Sequence, residues 1–176
     1  MAGKQTGRKS LSWPRVFKSA FLYPVMDEAG AAVSDVSDNG LSGQCALTLS
    51  LYQQVYLSFD DESYFGGQVR WVNGRRFGLL TKEPLPFDTT EVDEAFPRSR
   101  IERRDTQRQT VDLTATLVTC APVLIGTIRH LSTEGMMIET SGVDEGTRLL
   151  VKTRGQKVRM GRVASLAEGM ARVLFS

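Results

Sequence analysis

The sequence predicts an all-β protein made of two tandem, small antiparallel β-barrels joined by a linker. Three observations lead to this prediction. The chain repeats itself at an interval of 94 to 95 residues, strand patterns run along both copies, and a segment rich in proline and acid separates them. We place the first barrel at 1–87, the linker at 88–100 and the second barrel at 101–176.

The repeat rests on two short segments that keep their spacing. Ser37 and Gly40 recur as Ser132 and Gly135 at an offset of 95. The segment 67–69 has its counterpart in 161–163 at an offset of 94. The 176 residues therefore divide into two units, each near the size at which a single core is only marginally stable. We expect the two units to support each other.

Alternating apolar and polar residues predict strands, and no segment has a clear amphipathic helical pattern. Asn73-Gly74 lies between two apolar runs and favours a type I′ hairpin turn, because both central residues of that turn need positive φ. Strand-like runs recur at the spacing of small antiparallel barrels, at 16–23, 54–59, 68–72, 77–81, 111–119, 125–131, 148–153, 158–164 and 170–175.

The linker prediction rests on the segment 84–97, which holds three prolines and four acidic residues and has no sustained apolar period. Prolines and clustered acids do not continue a strand or a helix, and this composition is typical of a connection between domains.

Charge and cysteine usage narrow the classes of protein. A net charge of +2 is too small to indicate a nucleic acid or an anionic membrane as partner. Cys45 and Cys120 form no CxxC motif, which favours reduced thiols over a disulfide framework. The basic N-terminus lacks the apolar run of a signal peptide, and no stretch approaches 18 apolar residues. We expect a cytoplasmic protein without a membrane segment.

Residues for catalysis or metal binding are sparse. His130 is the only histidine, and the chain has no HExxH, GxSxG or GxxxxGK[ST] motif. We therefore expect no enzyme, no catalytic residues, no metal site and no cofactor.

The strongest local feature is an arginine-rich segment at 98–108, which holds five arginines and no lysine. A guanidinium makes bidentate hydrogen bonds to phosphate and to the O6/N7 edge of guanine, whereas lysine offers only a point charge. The alternative interpretation is a solvated linker end, in which Glu102 and Asp105 balance part of the charge.

A second feature is Asp35-x-Ser37-x-x-Gly40. A carboxylate accepts hydrogen bonds from the N1–H and N2–H groups of guanine, a hydroxyl donates or accepts, and glycine lets a ligand approach the backbone. On its own, such a stretch is typical of a turn that closes a strand.

Together these features resemble the PilZ family of cyclic di-GMP receptors, in which RxxxR is followed by [D/N]xSxxG on a six-stranded antiparallel barrel. In the second unit, Arg104-x-x-x-Arg108 precedes the predicted strand 111–119, and His130-x-Ser132-x-x-Gly135 follows it. The second unit thus has both arginines, with histidine in place of Asp or Asn.

The first unit has the complementary pattern. Asp35, Ser37 and Gly40 match the second motif in full. Arg15 stands where the second arginine belongs, but Leu11 occupies the position of the first.

The resemblance implies that the arginines bind the phosphates and the guanine edges, while the second motif lines the opposite wall. The implied ligand site in the second unit comprises Arg103, Arg104, Arg108, His130, Ser132 and Gly135. The equivalent residues of the first unit, which form a second site, are Arg15, Asp35, Ser37 and Gly40.

The expected function is that of a cytoplasmic bacterial effector that binds cyclic di-GMP and relays this second-messenger signal to an unidentified protein partner. Motility, surface attachment, polysaccharide production and cell-cycle control are the processes in which we expect it. The alternative is a degenerate PilZ adaptor that binds no nucleotide and acts through protein contacts. A third interpretation is a barrel that binds single-stranded nucleic acid. It is disfavoured because 98–119 contains no aromatic residue on which bases could stack.

Overall fold

The computed structural model describes residues 18–85 and 109–176, which form an all-β structure. Within these ranges there are eleven antiparallel strands and no helix, so the all-β prediction is confirmed. The strands are β1 (Lys18–Ser37), β2 (Gly40–Cys45), β3 (Gln54–Ser58), β4 (Phe65–Asn73), β5 (Arg76–Thr81), β6 (Gln109–Cys120), β7 (Leu124–Leu131), β8 (Gly135–Glu139), β9 (Arg148–Thr153), β10 (Arg159–Ala167) and β11 (Met170–Phe175).

Each of the nine predicted strand runs overlaps one of these strands, and two strands were missed. The missed strands are β2 and β8, which are short and begin at glycines. Strand β1 also continues far beyond its predicted end at residue 23. Glycine lowers strand propensity, so these segments are held in the sheet by their partners rather than by local preference.

The hairpin turn between β4 and β5 differs from the prediction by one residue. Asn73 pairs with Arg76, so Gly74 is the first of the two central residues, and it alone has positive φ, at 60°. This is the type II′ pattern, and the predicted type I′ turn centred on Asn73-Gly74 was wrong. The register follows from Trp71, whose indole ring lies directly against Gly78, where a Cβ would clash.

The strand pairings link the sheet into two rings of six strands that share β1. Ring one consists of residues 25–37 of β1 followed by β2, β5, β4, β3 and β6. Ring two consists of residues 18–24 of β1 followed by β7, β8, β11, β10 and β9. All of these pairings are antiparallel.

The membership of the rings does not follow the order of the repeats. Strand β6, which opens the second unit, pairs with β1 and β3 of the first. Reciprocally, the start of β1 pairs with β7 and β9 of the second unit. The two units therefore exchange their first strands. The predicted linker at 88–100 lies outside the described residues, and the domain boundaries stay a prediction.

A proline marks each place where the chain crosses between rings. Pro24 lies in β1 at the change from ring two to ring one, and Pro122 lies between β6 and β7. Proline has no N–H to give to a ladder, and Pro24 is the last residue of β1 paired with β9, whereas pairing with β6 begins at Val25. The N–H of Ala121 donates to the carbonyl oxygen of Pro24 at 2.9 Å, which ties the two crossings together.

The exchanged strands supply core residues to their host rings. Ala115 and Leu117 of β6 are buried in the core of ring one, and Ala20 and Leu22 of β1 are buried in the core of ring two. A third cluster joins the rings and comprises Tyr56, Tyr64, Val118, Leu150, Val158 and Met160. Side chains of the exchanged strands are therefore buried in all three clusters, and this burial stabilises the exchanged pairing.

Candidate functional site

The first candidate element is the turn between β1 and β2, which we call the first turn (35–40). A β-bulge between Val33 and Asp35 precedes it, and such bulges redirect the side chain that follows. The Asp35 carboxylate accepts hydrogen bonds through Oδ2 from the hydroxyls of Ser34, at 3.0 Å, and Ser42, at 2.8 Å. Both of these bonds end on Oδ2 and hold the carboxylate in one orientation.

The serine and the glycine of the first turn have structural roles. The Ser37 hydroxyl donates to the carbonyl oxygen of Gly40 at 3.1 Å and closes the turn. A Cβ at Gly40 would lie 2.6 Å from the carbonyl oxygen of Leu79 on β5. The glycine is thus required for close contact between strands. This contact alone explains a glycine at position 40, without the expected approach of a ligand to the backbone.

The turn between β7 and β8, which we call the second turn (130–135), is built in the same way. A bulge between Ile128 and His130 precedes it. The Ser132 hydroxyl donates to the carbonyl oxygen of Gly135 at 3.1 Å and accepts from the Gly135 N–H at 3.2 Å. A Cβ at Gly135 would clash with the carbonyl oxygen of Val173. The repeat is therefore visible in the hydrogen bonds as well as in the sequence.

The second turn borders a cleft of about 320 Å³. Its lining includes His130, Ser132, Glu134, Gly135, Met137 and Arg172. Glu134 is an acidic side chain and Arg172 a basic one, so the lining contains groups of both kinds. The cleft combines an exposed imidazole, one guanidinium and an apolar floor.

The two turns lie at opposite ends of β1. Val36 is paired with Gln109, at the start of β6, whereas Lys18 is paired with Ile128, just before the second turn. The structure brings Asp35, Ser37 and Gly40 together at one end, and His130, Ser132 and Gly135 together at the other. Arg15, Arg103, Arg104 and Arg108 lie outside the described residues.

Sequence reasoning missed several residues of these two turns. Ser34 and Ser42 orient the Asp35 carboxylate, and Arg172 lines the cleft. Arg172 stands between the buried residues Ala171 and Val173. This alternation of apolar and polar residues indicates that the Arg172 side chain points outward. It does not indicate which turn that side chain lies beside, because this depends on the pairing of β11 with β8.

In the described ranges, no group of three His, Cys, Asp or Glu side chains is placed to hold a metal ion. No helix in those ranges has the length and apolar character needed to cross a membrane. Comparison with protein-family models, curated proteins and solved structures gives no match to the chain.

Proposed function

We propose that this protein is a cytoplasmic, non-enzymatic effector that binds cyclic di-GMP, with each six-stranded ring acting as a PilZ-like barrel. The observation that carries the proposal is the matching construction of the two motif turns. Each follows a β-bulge, joins neighbouring strands of its ring and is closed by a serine hydroxyl bound to the glycine carbonyl oxygen. A protein partner of unidentified nature receives the signal.

The chemistry of the first turn suits a guanine. A carboxylate such as that of Asp35 can accept from the N1–H or N2–H donors of the base, while Ser34 and Ser42 hold it in place. The arginine-rich segment at 98–108 supplies guanidinium groups for the two phosphates. These are the two kinds of group that a cyclic guanine dinucleotide requires.

A second candidate function is that of an adaptor that binds no nucleotide, and two observations favour it. The serine and glycine of both turns are already explained by hydrogen bonding and close strand contact. In addition, Phe21 and Ile125 form a cross-strand pair on the outside of ring two and are 43% and 66% exposed. Exposed neighbouring apolar side chains are typical of protein contact surfaces.

Thermal unfolding of the full chain with and without cyclic di-GMP separates these functions. Ligand at 100 times its Kd stabilises the folded state by about 2.7 kcal/mol, which corresponds to a shift in Tm of roughly 5–10 °C for a chain of this size. Cyclic di-AMP serves as the control, since adenine lacks the N1–H and N2–H donors. No shift at millimolar cyclic di-GMP would leave the adaptor as the function.

The dependence of affinity on salt distinguishes a dinucleotide from a polymeric nucleic acid. A protein that neutralises many phosphates loses affinity steeply as salt rises. Cyclic di-GMP has only two phosphates, so we expect a shallow dependence. A steep dependence together with tight binding of single-stranded DNA would contradict the proposal.

A further inference from the structure

The outer side of ring one at the β4–β5 hairpin combines arginines with exposed apolar side chains. We call this surface the hairpin face, and it comprises Leu51, Tyr52, Arg70, Arg75, Arg76 and Leu80. Leu51, Tyr52 and Leu80 are 53%, 61% and 45% exposed, and all three arginines are exposed as well. Large apolar side chains that are exposed together are typical of contact surfaces.

The charge of this part of ring one is entirely positive. The residues 40–58, which include β2 and β3, contain no charged side chain, and 65–81, which include β4 and β5, contain three arginines and no acid. In the part of the chain that the structure describes, Arg70 donates to the Gln68 side chain, and none of the three arginines makes an ion pair. The hairpin face is therefore complementary in charge to an acidic partner.

The repeat shows that the fold does not require these arginines. Ring two forms the same hairpin from β10 and β11, with a bulge at the equivalent place and a two-residue turn of its own. At the offset of 94, the three arginine positions hold Ala164, Gly169 and Met170 in that hairpin. Because the hairpin and its bulge form without arginine at these positions, folding does not account for the guanidinium groups of ring one.

Tyr52 is held in an exposed position by its neighbours on β4. Its φ of 66° lies in the left-handed region, which is uncommon for a bulky residue. Its N–H donates to the carbonyl oxygen of Val69 at 2.8 Å, and its carbonyl oxygen accepts from Nε2 of Gln68 at 3.3 Å. The Cζ atom of Arg70 lies 5.8 Å from the centre of the Tyr52 ring. The ring is thus ordered before a partner binds, which lowers the entropy cost of association.

We propose that the hairpin face is the docking surface for the protein partner, and that it binds an acidic segment in which carboxylates flank an apolar or aromatic side chain. This inference rests on the part of the proposed function that requires a protein partner, and it names the surface and the class of partner. The carboxylates accept from Arg75 and Arg76, while the apolar side chain packs against Leu51 and Tyr52. Tyrosine and arginine are enriched among the residues that dominate the energy of protein interfaces.

Other polyanions fit the hairpin face less well. Segments that recognise anionic lipids carry clusters of about 4–8 basic residues, whereas this face has three arginines and no lysine. A single strand of nucleic acid presents a phosphate at every nucleotide, and three guanidinium groups neutralise only a short part of it. An acidic protein segment needs only a few carboxylates, placed beside an apolar side chain.

Peptide display on the folded full chain tests the assignment. We expect a library of random short peptides to yield sequences in which acidic residues flank an aromatic or aliphatic one. A selected peptide labelled with fluorescein is then the probe, and its affinity is measured by fluorescence anisotropy. We expect Arg75→Gln combined with Arg76→Gln to weaken its binding by at least about fivefold, because two charged donors are lost.

Arg154→Gln combined with Lys157→Gln is the matched control. It removes the same formal charge from the exposed turn between β9 and β10 of ring two. Exposed charges further apart than a Debye length are largely screened, so we expect this control to change peptide affinity by less than about twofold.

Tyr52→Gly separates binding from folding. Glycine adopts positive φ without steric cost, so we expect the variant to keep its Tm. We expect it to bind the peptide about tenfold more weakly, as when a residue central to an interface is lost. An affinity equal to that of the wild type would overturn the assignment.

The remaining outcomes are equally decisive. A selection that yields no acidic peptide, or a peptide whose binding is lost only in the ring-two control, would overturn the docking surface. Binding of oligo(dT) or of phosphatidylserine vesicles in place of peptides, if lost in Arg75→Gln with Arg76→Gln, would assign the face to nucleic acid or lipid and overturn it too. Selection of an acidic peptide without a thermal shift by cyclic di-GMP would support the docking surface and overturn the receptor function.

Discussion

Thr110 lies directly opposite Asp35 in the antiparallel ladder between β6 and β1. Thr110 belongs to the second copy of the repeat, and Asp35 belongs to the first. Their pairing shows that the copies are interleaved by a reciprocal exchange of their first strands. Each ring is completed by a strand from the other copy, so neither copy contains a full ring of its own.

The first prediction concerns the covalent connection between the units. A specific protease site inserted between 88 and 100 allows the purified protein to be cut. We expect the fragments to elute together in size-exclusion chromatography without denaturant, because β6 remains in ring one and the start of β1 remains in ring two. Release of two folded fragments that elute separately would contradict the exchange.

The second prediction concerns the core contribution of β6. Leu117 is fully buried among residues of ring one. We expect Leu117→Ala to lower the free energy of unfolding by about 2–5 kcal/mol in urea titrations, through lost burial and the cavity left behind. Hydrogen exchange should accelerate first in β2 to β5, although Leu117 belongs to the second unit by sequence.

Ile125→Ala is the matched control for that substitution. Ile125 is 66% exposed on ring two, so we expect a change within about 0.5 kcal/mol. Faster exchange confined to β7 to β11 in Leu117→Ala would mean that β6 packs with its own unit.

The third prediction concerns the glycines of the motif turns. The Cβ of an alanine at Gly40 would lie 2.6 Å from the backbone oxygen of Leu79, and backbone cannot move aside as a side chain does. We expect Gly40→Ala to destabilise the protein by about 1–3 kcal/mol, even without ligand. A Cβ at Gly30 has no neighbour within 4 Å, so Gly30→Ala is the control and should be neutral or slightly stabilising. Equal stability of the two variants would argue against a structural role for Gly40.

The fourth prediction concerns the cysteines. Burial raises the pKa of the Cys120 thiol to about 12, and burial also raises the pKa of Cys45. Because the thiolate is the reactive form, we expect neither cysteine to be alkylated by iodoacetamide at pH 8 in the folded protein. Both should react in urea, as mass spectrometry can show. Rapid labelling of Cys120 in the folded protein would contradict its burial between the rings.

The sequence predicted most strands but not their partners. The alternation along β6 identifies a strand with one buried face, as found for Ala115 and Leu117. It does not identify the neighbouring strand, because both rings offer an apolar interior. The sequence also did not predict that β1 continues through Pro24 into a second ring. A proline inside an apolar run usually indicates a strand end.

For the candidate site, the motif spacing located both turns, since Ser37 and Ser132 close them with the same hydrogen bond. Ser42 and Arg172 were missed because they reach the turns from neighbouring strands. Local patterns specify local geometry, whereas the composition of a site follows from long-range pairing.

The central claim is that β6, which opens the second copy of the repeat, lies in ring one between β1 and β3. Cross-strand nuclear Overhauser effects in the isotope-labelled protein test it most directly, since paired residues have Cα atoms about 4.5–5.5 Å apart. We expect contacts from Thr110 to Asp35 and from Leu117 to Leu57, as in the β6 ladders with β1 and β3. Contacts from β6 to β7 and β9 in their place would show two unexchanged units and would contradict the account.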